Sequence, residues 1–155
     1  MNLFTYGTLM TADGVRAVLG DRADALTYRV GRLAGWRRIW NVYRQDWGGG
    51  VLNIERHEGT VVVGVLVEGL AEEDFHALDH AEANHLPRES VVVEPEGGEP
   101  VRAQVYWRRQ GNHTGRPSVR YLGVVLERAR QAGQAVLDNL RSSSVDVAGN
   151  PANLP

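Results

Sequence analysis

Residues 3 to 10 read LFTYGTLM, and this stretch predicts a strand, a short loop and the approach to a helix. The residues up to Tyr6 are rich in strand formers, and Gly7 after them lets the backbone come close to a ligand. Amides that follow a strand point outward until a helix satisfies them, so those near Gly7, Thr8 and Leu9 are suited to hold an oxyanion or a carboxylate. Many strand–helix connections contain glycine, and a plain connector is the alternative interpretation.

The composition indicates one ordinary globular domain. The chain has 155 residues, of which 43% are hydrophobic and 23% charged, with a net charge of −2 and no cysteine. The charge favours neither nucleic acid nor an anionic membrane. Without cysteine there are no disulfides, thiolate nucleophiles or cysteine-ligated zinc. No signal peptide or membrane span is recognisable, so we expect a cytoplasmic location and no membrane partner.

The rest of the chain predicts an α+β domain of about six strands, either a curved sheet or a small barrel with helices packed outside. His57-Glu58-Gly59 is typical of a hairpin, and Gly133 is placed to divide a long helical pattern. We expect one domain over residues 1–141 and a surface or mobile tail over 142–155. Strand patterns cover 2–6, 26–40, 51–54, 60–67, 90–93 and 101–107, and helical patterns follow Thr11 and cover 70–83 and 118–140.

The helical segment GLAEEDFHALDHAEA carries a carboxylate on its apolar face. Glu82 is seven residues after Phe75 and four after Leu78, so it shares the face that those two side chains bury. It also falls in the last turn, where the helix dipole disfavours an anion, and both effects raise a carboxyl pKa. A carboxylate with a pKa near neutrality is suited to act as a general base. Two alternatives remain open: the helix frays before Glu82, or Arg88 neutralises it.

Neighbouring polar residues are assigned less specific roles. Asp79, three residues before Glu82, either shares the cleft or hydrogen-bonds a nearby loop, and we favour the structural role. His80 and His85 are five residues apart, which on a helix separates them by roughly 140°. This differs from the four-residue spacing of a zinc protease, so no metal site is expected.

Several short motifs, taken together, resemble the gamma-glutamylcyclotransferase-like family, in its gamma-glutamylamine cyclotransferase or AIG2-like branch. They occur in the expected order over residues 4 to 122, which is most of the chain. The set consists of Phe4-Thr5-Tyr6-Gly7-Thr8-Leu9, Leu78-Asp79-His80-Ala81-Glu82, Val91-Val92-Val93 after Arg88, Val105-Tyr106-Trp107 and Pro117-Ser118-Val119-Arg120-Tyr121-Leu122.

The resemblance implies a small mixed β-barrel flanked by helices, and a reaction. The α-amine of a γ-glutamyl group attacks its own γ-carbonyl and releases 5-oxoproline together with an amine or an amino acid. The family's catalytic glutamate maps onto Glu82, and its binding loop maps onto Tyr6, Gly7, Thr8 and Leu9. The reaction needs no cofactor or metal, and its partner is a small γ-glutamyl molecule. The oligomeric state is not predicted.

The chain departs from the family pattern at two positions beside Glu82. Leu86 stands where many members have a tyrosine, and Ala83 stands where glycine is frequent. Tyr106 or Tyr121 is a candidate to replace the missing phenol in substrate binding. The two departures also favour an alternative function, a non-catalytic member of the same fold that binds a small ligand.

The basic aromatic segment from Trp36 to Arg44 has three interpretations. It suits the stacking of bases on aromatic rings, which would make the protein a nucleic-acid-binding barrel. With a net charge of −2, we favour an ordinary strand whose tryptophans lie in the core and whose arginines lie in water. If the segment instead lines the cleft that the family resemblance implies, Arg37 is a candidate to bind a substrate carboxylate.

Overall fold

A computed structural model describes all 155 residues, and its five strands close into a barrel flanked by four helices. The strands are β1 (Asn2–Thr5), β2 (Thr27–Arg44), β3 (Gly49–Glu68), β4 (Glu89–Pro95) and β5 (Val101–Val105). Their order around the barrel is β1, β3, β2, β4, β5, and parallel pairing of β5 with β1 closes it, while the other pairs are antiparallel. The predicted α+β barrel class is confirmed.

The strand count differs from the prediction because β2 and β3 are long and continuous. The hairpin predicted at His57 to Gly59 is wrong. Ala34 pairs with Val61 and Trp36 with Arg56, so residues 57–60 of β3 bulge outward opposite a single residue of β2. Turn-forming residues therefore serve a bulge inside one strand, and local sequence does not distinguish a bulge from a hairpin.

The helices form at the predicted positions, and two of their boundaries have a clear local cause. Thr11 accepts a hydrogen bond from the Gly14 amide at the beginning of the first helix, and Gly133, at φ 139°, separates the last two. No helix is both long and apolar enough to cross a membrane. The cytoplasmic location remains a prediction. The helices are α1 (Ala12–Leu19), α2 (Glu72–Ala81), α3 (Val119–Ala132) and α4 (Gln134–Ser143).

The hydrophobic core fills the barrel and continues beneath the helices. Phe4, Leu66 and Val105 are almost completely buried in the barrel wall, and Val125 and Leu140 seal it from α3 and α4. Each such side chain contributes about 1.5–3 kcal/mol through burial. The barrel therefore gives the loop after β1 and the end of α2 a rigid frame.

The last residues run along the outside of β2. The Trp40 amide donates to the Val145 carbonyl at 3.0 Å, and the Val145 amide donates to the Arg38 carbonyl at 3.1 Å. Further on, the Ala152 amide donates to the Ser144 carbonyl at 3.0 Å. The assignment of residues 142–155 as a separate tail remains a prediction.

Candidate active site

A cleft opens where the loop after β1 meets the end of α2. It encloses about 490 Å³ of empty space, counted out to its solvent-facing mouth. Arg44, Trp47 and His85 also contribute to its wall. It brings together seven of the eight predicted site residues, namely Tyr6, Gly7, Thr8, Leu9, Glu82, Tyr106 and Tyr121.

The loop from Tyr6 to Leu9 packs closely at two glycines, Gly7 against a side chain and Gly14 against the loop backbone. A Cβ atom at Gly7 would lie 2.8 Å from the Tyr121 hydroxyl, and one at Gly14 would lie 1.8 Å from the Thr8 carbonyl oxygen. Both glycines thus permit a packing that any side chain would disturb. The amides of Gly7, Thr8 and Leu9 donate no hydrogen bond to the rest of the protein. They are free to bind an anionic ligand atom.

A buried arginine fixes the beginning of this loop. The Arg38 side chain donates to the Tyr6 carbonyl at 2.9 Å, to the Val63 carbonyl at 2.7 Å and to the Asn139 side-chain oxygen at 2.6 Å. Burial lowers its pKa to about 10, so it stays cationic at neutral pH. The prediction that the arginines of this segment lie in water is wrong for Arg38, because acceptors from three separate elements surround it.

Glu82 points into the cleft from the end of α2. The helix ends at Ala81, and the Glu82 amide still donates to the Leu78 carbonyl at 2.8 Å. The carboxylate therefore keeps the face of Phe75 and Leu78, and its side chain is only 17% exposed. Burial raises the pKa of Glu82 to about 7, while the nearby Arg44 cation acts in the opposite direction. A large fraction of the carboxyl is ionised at neutral pH and able to accept a proton.

Arg88 does not neutralise Glu82, because it is paired with Asp79. The Arg88 guanidinium donates to Asp79 Oδ1 at 2.6 Å, and the Tyr106 hydroxyl donates to the same oxygen at 2.6 Å. Burial alone would raise the pKa of Asp79, but these two hydrogen bonds outweigh it and the pKa is lowered. The Tyr6 hydroxyl donates to the Tyr106 carbonyl at 2.5 Å, which links this cluster to the loop.

Aromatic packing holds the remaining wall of the cleft. The Tyr121 ring meets Trp40 and Trp47 edge to face, with centroids 5.7 and 5.1 Å apart. Such pairs orient an aromatic ring more tightly than burial alone. Burial also raises the pKa of the Tyr121 hydroxyl, so this group is a neutral hydrogen-bonding group in the cleft.

His85 and Arg44 are cleft residues that the sequence analysis did not identify. Arg44 is paired with Asp46 at 2.8 Å. His85 lies in a short 3₁₀ turn, Ala83–His85, and is 3% exposed. Its position three residues after Glu82 is the one sequence feature that could have indicated it, because residues three apart on a helical turn face each other.

The segment from Trp36 to Arg44 forms part of the barrel wall. Arg37 does not line the cleft, and its side chain instead pairs with Glu55 at 2.7 Å across β2 and β3. Trp36 and Trp40 are 3% and 1% exposed. Their faces are therefore covered, and base stacking, which was the basis of the nucleic-acid alternative, has no accessible surface on these rings.

No three histidine, aspartate or glutamate side chains come close enough to hold a metal ion. The charged groups of the cleft instead lie in pairs, as in Arg44 with Asp46, or have no arginine or lysine at ion-pair distance, as is the case for Glu82. The requirement for a metal or cofactor stays a matter of prediction.

Comparison with known proteins identifies the group to which this fold belongs. The family described as "Gamma-glutamyl cyclotransferase, AIG2-like" matches residues 3–141. No curated protein sequence matched the chain. A solved structure named gamma-glutamyl cyclotransferase superposes with a TM-score of 0.74 at 18% identity, covering 86% of this chain and 80% of that one.

Two further structures share the fold. A human protein described as uncharacterized superposes with a TM-score of 0.74 at 19% identity, covering 85% of this chain and 79% of the other. YkqA from Bacillus subtilis has a TM-score of 0.67 at 19% identity, covering 90% of this chain and 52% of its own. At these identities the likeness concerns the fold alone.

Proposed function

We propose that this chain, which belongs to the AIG2-like gamma-glutamyl cyclotransferase family, cyclises γ-glutamyl compounds to 5-oxoproline. One observation carries the proposal: a buried carboxylate without a cationic partner shares a cleft with three free backbone amides. The first is a proton acceptor, and the second is a binding site for negative charge. Cyclisation of a γ-glutamyl group needs both.

Glu82 supplies proton transfer. The substrate α-amine is mostly protonated at neutral pH and must lose a proton before its nitrogen can attack the γ-carbonyl carbon. That proton goes to solvent, and Glu82 accepts a second N–H proton from the attacking amine as the new C–N bond forms. It then gives the proton to the leaving nitrogen as the original amide C–N bond breaks. The products are 5-oxoproline and an amine or amino acid, and no water is consumed.

The loop from Tyr6 to Leu9 supplies charge stabilisation. The free amides of Gly7, Thr8 and Leu9 either stabilise the oxyanion of the tetrahedral intermediate or bind the substrate α-carboxylate. Because attack is intramolecular, holding the glutamyl arm folded accounts for much of the rate enhancement. The rigid attachment of this loop to Arg38 and Tyr121 serves that purpose.

The alternative function is a non-catalytic protein that binds a small ligand in the same cleft. It was favoured by Ala83 and Leu86, which depart from the family pattern. Both residues are exposed, Leu86 by 40%, and neither lines the cleft. The departures therefore leave the cleft chemistry intact, and we favour the enzyme.

The test is release of 5-oxoproline from a panel of γ-glutamyl amines, γ-glutamyl amino acids and glutathione. We expect release from at least one compound, and a loss of about 10²–10⁴-fold in Glu82→Gln, the range that one general base contributes. Glu73→Gln is the matched control, because Glu73 is an exposed glutamate of the same helix. Binding of panel members without release from any of them would favour the alternative.

A further inference from the structure

His85 is a buried titratable residue that the proposed reaction does not use. Its Nε2 atom lies 3.1 Å from the Leu52 carbonyl oxygen, which can only accept a hydrogen bond. Nε2 therefore carries the ring hydrogen. The other ring nitrogen, Nδ1, is buried and has no hydrogen-bond partner. It lies 3.5 Å from Oε2 of Glu82.

The protonation state of His85 decides what Nδ1 can do. Burial lowers the pKa of His85 to about 4, so the ring is neutral at physiological pH. In a neutral ring that carries its hydrogen on Nε2, Nδ1 offers only a lone pair. A lone pair accepts a hydrogen bond from a carboxylic acid and repels a carboxylate.

From this geometry we infer that His85 is the positioning residue of the general base: Nδ1 accepts a hydrogen bond from the Glu82 carboxyl whenever that carboxyl holds the proton taken from the substrate. The inference rests on the proposed function for the origin of that proton. The ring, anchored to Leu52, thereby holds the carboxyl in one orientation and favours its protonated form.

Other charged and titratable groups face this pair and act on it in different directions. Arg44 from β2 favours the ionised carboxylate, and Asp46 beside it disfavours it. Arg108 and Arg44 both disfavour a cationic ring at His85. The phenols of Tyr6 and Tyr121 are neutral, because burial keeps the pKa of each above its usual value. Among the arginines and histidines, only His85 has a side-chain nitrogen within 4 Å of a Glu82 carboxylate oxygen.

The decisive experiment is a ¹⁵N NMR titration of the histidine rings in the substrate-free protein. We expect His85 to keep hydrogen on Nε2 from about pH 5 to pH 9, a range that lies above its lowered pKa of about 4. We expect its Nδ1 resonance to move once, with the Glu82 midpoint near pH 7. In Glu82→Gln the amide can donate to Nδ1 at every pH, so this step should vanish. A hydrogen on Nδ1, or a Nδ1 resonance indifferent to Glu82, would overturn the inference.

A second variant tests the consequence for the base. In His85→Asn the side-chain amide can turn its NH₂ group toward the carboxylate, so the Glu82 midpoint should fall by about one pH unit, an effect typical of a hydrogen bond to an ionised group. The acid limb of the kcat/KM profile should fall with it. His80→Asn, at an exposed histidine near the end of α2, is the control. An unmoved midpoint in a folded His85→Asn protein would contradict the inference.

These experiments separate the two proposals. The titration needs no substrate, so coupling between His85 and Glu82 is established or refuted whether or not 5-oxoproline is released. Release of 5-oxoproline with an uncoupled His85 would leave the reaction standing and remove His85 from it.

Discussion

Asp79 and Glu82 lie three residues apart at the end of one helix, and their surroundings give them opposite properties. Asp79 accepts hydrogen bonds from Arg88 and Tyr106, and its pKa is lowered. Glu82 is more deeply buried, has no hydrogen-bonded cation, and has a pKa of about 7. A carboxylate whose charge is already compensated holds the structure together, whereas one left uncompensated at the wall of a cleft is available for proton transfer.

The largest expected contrast concerns stability against pH. The folded pKa of Glu82 is raised, so its contribution to stability is full below the unfolded pKa and is lost as pH rises through about 7. The difference from the usual 4.5 corresponds to roughly 3 kcal/mol. Between about pH 4 and pH 8, the free energy of unfolding of Glu82→Gln should therefore gain that amount relative to the wild type. Urea denaturation at each pH measures it.

Asp79→Asn should behave in the opposite way. The pKa of Asp79 is lowered, so its contribution is present above the unfolded pKa and is lost as pH falls through the folded value. At neutral pH the variant should be less stable than the wild type by about 1–2 kcal/mol, since Arg88 loses a charged partner. This difference in the free energy of unfolding should disappear as the pH falls below the folded pKa of Asp79. If Glu82→Gln and Asp79→Asn changed the free energy of unfolding in the same direction at neutral pH, the two carboxylates would not be in different environments.

Changing the reach of each side chain by one methylene sharpens the contrast in activity. Glu82→Asp withdraws the carboxylate by one methylene, and we expect kcat/KM for 5-oxoproline release to fall about 100-fold, as for a reacting group misplaced by 1 Å. Asp79→Glu should retain activity within about tenfold, because Asp79 is not the general base and takes no part in proton transfer. Equal losses in both folded variants would argue against distinct roles.

Removing the partner of Asp79 tests whether pairing is the cause of its lowered pKa. In Arg88→Met, Asp79 keeps only the hydrogen bond from Tyr106, so its pKa should rise. Stability should fall by about 1–2 kcal/mol at neutral pH. The midpoint of Glu82 should not move, because Arg88 is not among the groups that act on it. A ¹³C NMR titration of the side-chain carboxyls reports both residues in one sample, and a shifted Glu82 midpoint would refute their independence.

The smallest expected effect belongs to Tyr106→Phe. The change removes one hydrogen bond to Asp79, which keeps its bond to Arg88. Stability should fall by about 1 kcal/mol, the usual contribution of a single hydrogen bond. A KM increase with kcat unchanged would also indicate that the phenol helps to bind substrate. Thermal or urea denaturation gives the first quantity, and a loss above about 3 kcal/mol would show a larger structural role than one bond explains.

Helical spacing and strand composition were enough to predict the inward position of Glu82, the loop after β1 and the α+β class, whereas the choice of a barrel over a curved sheet came from the resemblance to the family. The spacing of Glu82 from Phe75 and Leu78 predicts that its side chain shares their buried face, and the folded structure keeps it there. The long β3 could not be predicted, because the same turn residues suit a bulge and a hairpin. The ion pair between Arg88 and Asp79 also could not be predicted. Arg88 is close enough along the chain to pair with either Asp79 or Glu82, and only the structure shows which one it contacts.

Arg38 and His85 mark the limit of what sequence predicts. An arginine in an alternating strand is expected in water. Only the assembled barrel shows that carbonyls of the loop and of β3 surround Arg38. His85 follows the end of α2, and its ring reaches Leu52 on β3, a contact between residues 33 positions apart. Long-range polar partners of this kind leave no local periodicity in the sequence.

The pH dependence of kcat/KM for 5-oxoproline release tests the central claim, that Glu82 is an uncompensated general base, most directly. The acid limb reports the essential base of the free enzyme. We predict that activity rises through a midpoint near pH 7, and that Glu82→Gln removes it across the whole range. A midpoint in the ordinary carboxyl range near 4.5, or a folded Glu82→Gln protein with wild-type activity, would contradict the account.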